Sequence, residues 1–284
     1  MGELRRTDTT HRMRRSTSRS PVLRGVWWTG PDDPTAVDVA RAAAEVVPGG
    51  LLADEWACWA LAPDRVSVPP LPVRMVVPPE AAARSRSGLL VRRSALPASD
   101  RVVASGLAST AGTRTAVDLL CAGSRIPRAR VIEMVDALLN LGRTTTDEIA
   151  GALAVSHQRG VVAARSLLEA TDRGSESRPE TALRLAIVDG GLPRPVTQWL
   201  VTDESGGFLA RCDLGYPELR LGIEYLGRVH ERQLAKDWGR QNLLTNAGVV
   251  VLGFAAEQLR NRPGVVRRVA EARQMQQERL GRGL

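Results

Sequence analysis

The sequence predicts an α/β protein in two parts: a mainly helical α/β domain, then a small sheet flanked by helices. Three observations carry this. Residues 113–121, 128–141, 145–153 and 159–171 each place apolar residues at helical spacing. Residues 208–230 alternate in character around Gly215-Tyr216-Pro217-Glu218, the pattern of a β-hairpin. Between them lies DRGSESR, residues 172–178, polar and glycine-containing as a boundary should be. A chain of 284 residues suffices for two domains with separate cores. The expected division is a disordered basic arm at 1–20, a first domain at 21–171 and a second at 172–284.

The elements follow in order. Residues 1–20 are polar, basic and aperiodic, hence the expectation of disorder. Residues 22–28 read as a strand, and 34–47 as a helix opened by Asp32-Asp33-Pro34. A second helix, 51–61, follows Pro48-Gly49-Gly50. Trp56 and Trp59 share one side of it and read as core. Strands at 73–77 and 88–93 flank a charged turn around Arg84-Ser85-Arg86, and the four helices come next. Thr145-x-x-Glu148 is a capping box. In the second part a helix at 178–188 is stopped by Gly190-Gly191 and Pro193. A strand at 196–201, the hairpin, a helix at 231–247, a buried strand at 249–252 and a helix at 264–280 complete the chain.

Composition narrows the function. Hydrophobic residues make up 43% and charged residues 25%, the proportions of a soluble globular protein. No apolar run approaches the roughly 20 residues that span a bilayer, and no signal-peptide core follows the basic start, so a cytoplasmic location is expected. The net charge of +8 favours an anionic partner, DNA first among them. Lys236 is the single lysine, and arginine, which grips phosphate bidentately, carries the remaining positive charge. Cys58, Cys121 and Cys212 are too scattered for a disulfide framework or a zinc knuckle, and His11, His157 and His230 for a histidine metal site.

The hairpin carries the candidate chemistry. With the turn centred on residues 215–218, Asp213 pairs with Gly222 and Arg211 with Glu224. The four then share a face, with Asp213 and Glu224 about 7–8 Å apart on the diagonal. A divalent cation fits between such carboxylates, and Arg211 is placed to hold a phosphate or neutralise Glu224. The competing reading is a surface hairpin with solvated carboxylates; apolar Leu214, Leu221, Ile223 and Tyr225 favour a covered one. Glu180 also has two readings. It stands three residues after Ser177, as in a capping box, and it heads the stripe Glu180, Leu183, Ile187 that faces the sheet.

Ser177-x-x-Glu180, Gly191-Leu192-Pro193-x-Pro195-x-x-Gln198, Arg211-x-Asp213, Ile223-Glu224-Tyr225-x-Gly227-x-x-His230 and Asp237-x-x-Arg240 occur in this order. Together they resemble the very-short-patch-repair-like branch of the PD-(D/E)xK superfamily, over about residues 171–260. The resemblance implies a restriction-endonuclease-like mixed sheet flanked by helices. It implies a metal site at Glu180, Asp213 and Glu224, with His230 as general acid or base and Gln198, Arg211, Arg228 and Arg240 contacting nucleic acid. Magnesium held there would activate water for attack on a phosphodiester. One position departs: Leu226 stands where the family carries a polar residue.

In the first part, Arg24-Gly25-Val26-Trp27-Trp28, Asp54-Glu55-Trp56-Ala57, Val77-Pro78-Pro79 and Arg114-Thr115-Ala116-Val117-Asp118-Leu119 resemble abortive-infection antitoxin-like proteins. Those proteins usually begin with a winged helix, for most of which the 23 residues before Arg24 leave no room. The expected function is magnesium-dependent DNA cleavage. Its alternative is a DNA-binding regulator or antitoxin-like protein that keeps the nuclease fold with an impaired site, as Leu226 suggests.

Overall fold

The computed structural model describes all residues except 1–2, 7–18, 204, 228–242 and 282–284. The chain divides into two units, Met1–Glu169 and Ala170–Leu284.

The first unit opens with an antiparallel three-stranded sheet, β1 (Glu3–Arg6), β2 (Arg19–Leu23) and β3 (Val26–Thr29), in the order β1-β3-β2. The arm expected to be disordered thus supplies a strand. Its residues 3–6 pair with 26–29, and backbone pairing needs no apolar periodicity, the signal on which the expectation rested. The single strand expected at 22–28 is two, reversed at Arg24-Gly25 with Gly25 at φ +86°.

Helix α1 (Ala36–Val46) is opened by the capping box of Thr35 and Asp38. A short strand β4 (Leu51–Leu52) precedes α2 (Asp54–Leu61), where a longer helix was expected. On α2, Trp56 and Trp59 are buried, their rings edge to face at 5.8 Å, as their spacing implied. Strands β5 (Val73–Val77), β6 (Leu89–Arg93), β7 (Arg101–Ala104) and β8 (Leu107–Thr110) join β4 in a mixed sheet ordered β6-β5-β4-β8-β7. The β7-β8 hairpin turns at Ser105 and Gly106, both at positive φ.

The helices α3 (Gly112–Leu120), α4 (Arg128–Asn140), α5 (Thr146–Ala154) and α6 (Val161–Glu169) follow, and their apolar faces join one core with α1 and α2. Thr145 and Glu148 form the expected capping box on α5.

In the second unit α7 (Arg178–Asp189) precedes the strands β9 (Val196–Thr202), β10 (Phe208–Tyr216), β11 (Leu221–Leu226) and β12 (Val250–Ala255). Their order is β12-β11-β10-β9, antiparallel except for the parallel β11-β12 pair. Helices α8 (Ala256–Leu259) and α9 (Arg262–Gly281) end the unit. Leu183 and Ile187 of α7 meet Leu214, Ile223 and Phe254 of the sheet and Val265 and Val269 of α9. This is the expected mixed sheet flanked by helices. The helix expected at 231–247 lies largely outside the described residues.

Gly112 shows how tightly α3 is seated. A Cβ there would overlap the Arg143 carbonyl oxygen, whereas one at Gly151, within α5, meets nothing. Gly112→Ala is expected to lose about 1–3 kcal/mol in urea denaturation, and Gly151→Ala to gain about 0.5–1 kcal/mol.

Candidate functional site

The hairpin register differs from the expected one. Strand β10 runs through Tyr216, and the connection is a 3₁₀ turn, Pro217–Leu219, closed by Arg220 at φ +48°. Gly215 therefore pairs with Gly222, and Leu214 with Ile223, a shift of two residues from the expected pairs. Tyr216 sustains the strand because its ring is buried and its hydroxyl donates to the Pro193 carbonyl at 2.6 Å.

The shift places each site residue anew. Asp213, expected opposite Gly222, accepts the Tyr225 backbone N–H on Oδ2 at 2.8 Å. It thereby stands in for a main-chain acceptor of the neighbouring strand. Gly222 leaves room for Cys212 instead: a Cβ would lie 2.6 Å from its Sγ. The two terminal nitrogens of Arg211 bind the two oxygens of Glu176, each at 3.1 Å. Glu224 is half-buried on β11, and Leu226 stands 44% exposed at the end of that strand.

Glu180 carries the cap that its spacing implied. Ser177 Oγ donates to its Oε1 at 2.6 Å, while the Glu176 N–H and Gln198 Nε2 donate to Oε2 at 2.8 and 3.0 Å. These donors compensate a carboxylate only 8% exposed. Gln198 reaches it from β9 through a left-handed backbone, φ +51°, and its Oε1 is buried without a hydrogen-bond partner among the described residues. Of the sequence-derived set, the structure thus joins Glu180 to Gln198 and fixes Asp213 against β11. His230, Arg228 and Arg240, with Lys236 and Asp237, lie outside the described residues.

The described part of this arrangement shows no assembled metal centre. Both Glu180 oxygens already accept hydrogen bonds, and among the described residues no group of three or more His, Cys, Asp or Glu side chains is placed to hold a metal ion.

A second charged centre lies in the first unit. Asp118 on α3, 4% exposed, accepts from Arg92 of β6, from Arg114 Nε at 3.0 Å and from Gln158 Nε2 at 3.3 Å. Arg114 also binds Asp100 at 2.8 Å and Ser94 Oγ at 2.9 Å. Asp54, the first residue of α2, is 3% exposed and held at φ +54°. Its two oxygens face Arg92 at 3.7 Å and Arg125 at 3.6 Å. Burial pushes the Asp118 carboxyl above its ordinary range against the pull of Arg92 and Arg114. Burial lowers the Arg114 guanidinium, but Asp118 and Asp100 outweigh it and hold it above its ordinary value.

The sequence reading gave this centre no chemistry. Its signals were the DEWA and RTAVDL motifs and the i, i+4 spacing of Arg114 and Asp118; Arg92 had none.

These features define an α/β protein of two units. Residues 56–170 match the family model described as the AbiEi antitoxin C-terminal domain. That segment contains Arg92, Asp100, Arg114, Asp118 and Gln158. Two uncharacterized proteins of Mycobacterium tuberculosis, from strains CDC 1551 and H37Rv, are each 32% identical over 185 residues. The match covers 64% of this chain and 66% of each relative, just under two thirds of their length. No solved structure matches significantly.

Between the boundary segment and β9, Asp172 accepts from the Gly174 N–H at 2.8 Å, Arg194 at 2.9 Å and Thr197 Oγ1 at 2.9 Å. Burial raises its carboxyl, but these bonds prevail and hold it below its ordinary range. A depressed folded-state pKa gives stability present above the unfolded value of about 3.9 and lost as pH falls through the folded value. Asp172→Asn should therefore be less stable than wild type at neutral pH, and the gap in urea midpoint should close as pH falls below the unfolded value of about 3.9. A gap unchanged with pH would contradict this arrangement.

Proposed function

We propose that this chain is an antitoxin-like regulator that binds nucleic acid, and that its second unit keeps a nuclease-like sheet as scaffold. The match of residues 56–170 to the AbiEi antitoxin C-terminal domain carries the reading. Two features of the molecule support it. The net charge of +8, nearly all from arginine, suits a polyanion. The carboxylates that a nuclease would turn towards a cation are instead engaged within the protein, Glu180 with its helix cap and Gln198, Asp213 with the backbone of β11.

In this reading Glu180 positions the N-terminus of α7 and ties it to β9. Asp213 satisfies the Tyr225 N–H beside the hairpin ladder. Leu226, apolar and partly exposed, adds no proton-transferring group beside Glu224.

Duplex DNA binding followed by fluorescence anisotropy tests the proposal. Affinity should be largely independent of sequence and fall steeply between about 50 and 200 mM salt. Adding magnesium should produce no nicked product. Magnesium-dependent nicking that disappears in Asp213→Ala would replace the regulator with a nuclease, and salt-independent binding would remove the electrostatic basis.

A further inference from the structure

Asp54 is an outlier in three respects. It is a non-glycine residue in the left-handed region, it opens a helix without forming a side-chain cap, and its carboxylate is buried rather than solvated. Acidic residues in the first helical turn ordinarily face water, where the helix dipole stabilises them. Here a strained backbone conformation accompanies the inward-facing carboxylate. Such strain persists where the surroundings enforce it, and it concentrates at functional positions.

The inward carboxylate faces two arginines from opposite oxygens. Arg92 lies 3.7 Å from Oδ1 and Arg125 3.6 Å from Oδ2. Their side chains are 34% and 50% exposed, whereas those of Asp54 and Asp118 are 4% and 3% exposed. In these pairs the negative charge lies beneath and the positive charge towards the surface, whereas Arg114, 10% exposed, is itself buried beside Asp100.

Donors also remain. Arg92 uses one terminal nitrogen on Asp118, and among the described residues its Nε and other terminal nitrogen have no hydrogen-bond partner. Arg125 donates from Nε to the Ala122 carbonyl at 3.0 Å and directs NH1 to Asp54, which leaves NH2 without a partner among the described residues.

The geometry points to a phosphate-binding fork formed by Arg92 and Arg125 and oriented from below by Asp54 and Asp118. Held by carboxylates, each guanidinium forgoes less rotamer freedom when it meets a phosphate oxygen. Two guanidinium groups flanking one carboxylate are close enough to meet one phosphate or two neighbouring ones along a nucleic-acid backbone. The positions of Asp54 and Asp118 are structural, and the contacts belong to the arginines. This inference rests on the nucleic-acid reading above and assigns part of that binding to the first unit.

The test uses the full chain and two probes: duplex DNA over a salt series, and inorganic phosphate alone, followed by ³¹P line broadening. Arg125→Gln is the principal variant, because its side chain is half exposed and its loss leaves Asp54 beside Arg92. It should reduce the slope of log affinity against log salt by about one, with the chain still folded by circular dichroism. Arg92→Lys keeps the charge beside Asp118 but removes the planar fork; it should weaken DNA binding while the salt slope stays as in wild type. Phosphate broadening should fall in both variants, which would locate the site even if the biological source of phosphate is not DNA.

DNA binding weakened in Arg211→Gln but unchanged in both fork variants would overturn the fork and leave the nucleic-acid reading standing. If wild type binds no DNA yet broadens phosphate through Arg92 and Arg125, the fork stands and that reading falls. Wild-type phosphate broadening in both variants would overturn the fork whatever DNA does.

Discussion

A carboxylate taken out of water must be given cations or hydrogen-bond donors, and both units are arranged around meeting that demand. An isolated buried charge costs far more than a domain's whole margin of stability, so each such group dictates what stands next to it. In the first unit Asp118 draws β6, α3 and the Gln158 loop to one point. In the second, Glu180 joins the start of α7 to β9, and Asp213 joins β10 to β11. Removing one partner leaves the other uncompensated, which is why such centres are sensitive to single substitutions.

The same demand bears differently on the regulator reading and the nuclease reading. A metal site needs carboxylates held together with part of their coordination open, at a standing electrostatic cost that the cation relieves. Glu180 and Asp213 each accept hydrogen bonds from their own chain. The antitoxin-like match, the basic charge and the arginines of the first unit are consistent with the proposed binding role.

Much of this was legible in the sequence where it depends on local chemistry. The capping residues Thr145, Glu148, Ser177 and Glu180 announce themselves by three-residue spacing, and Trp56 with Trp59 by helical periodicity. The mixed sheet flanked by helices was likewise foreseen. What escaped depends on partners distant in sequence or on backbone states that spacing does not encode. The hairpin register moved by two residues because Tyr216 finds a hydrogen bond at Pro193, 23 positions away. The left-handed conformations of Asp54 and Gln198 and the approach of Arg92 to Asp118 have no sequence signature. The β7-β8 hairpin had one in Ser105-Gly106, but its short strands lack the alternation that would have drawn attention.

The most direct measurement is the stability of Asp213→Ala and Glu180→Ala against wild type, by urea denaturation with and without magnesium. If these carboxylates hold the sheet and helix together, both variants lose about 1–3 kcal/mol, and magnesium shifts none of the three proteins. The account is contradicted if the variants are as stable as wild type or more so, and magnesium stabilises wild type alone.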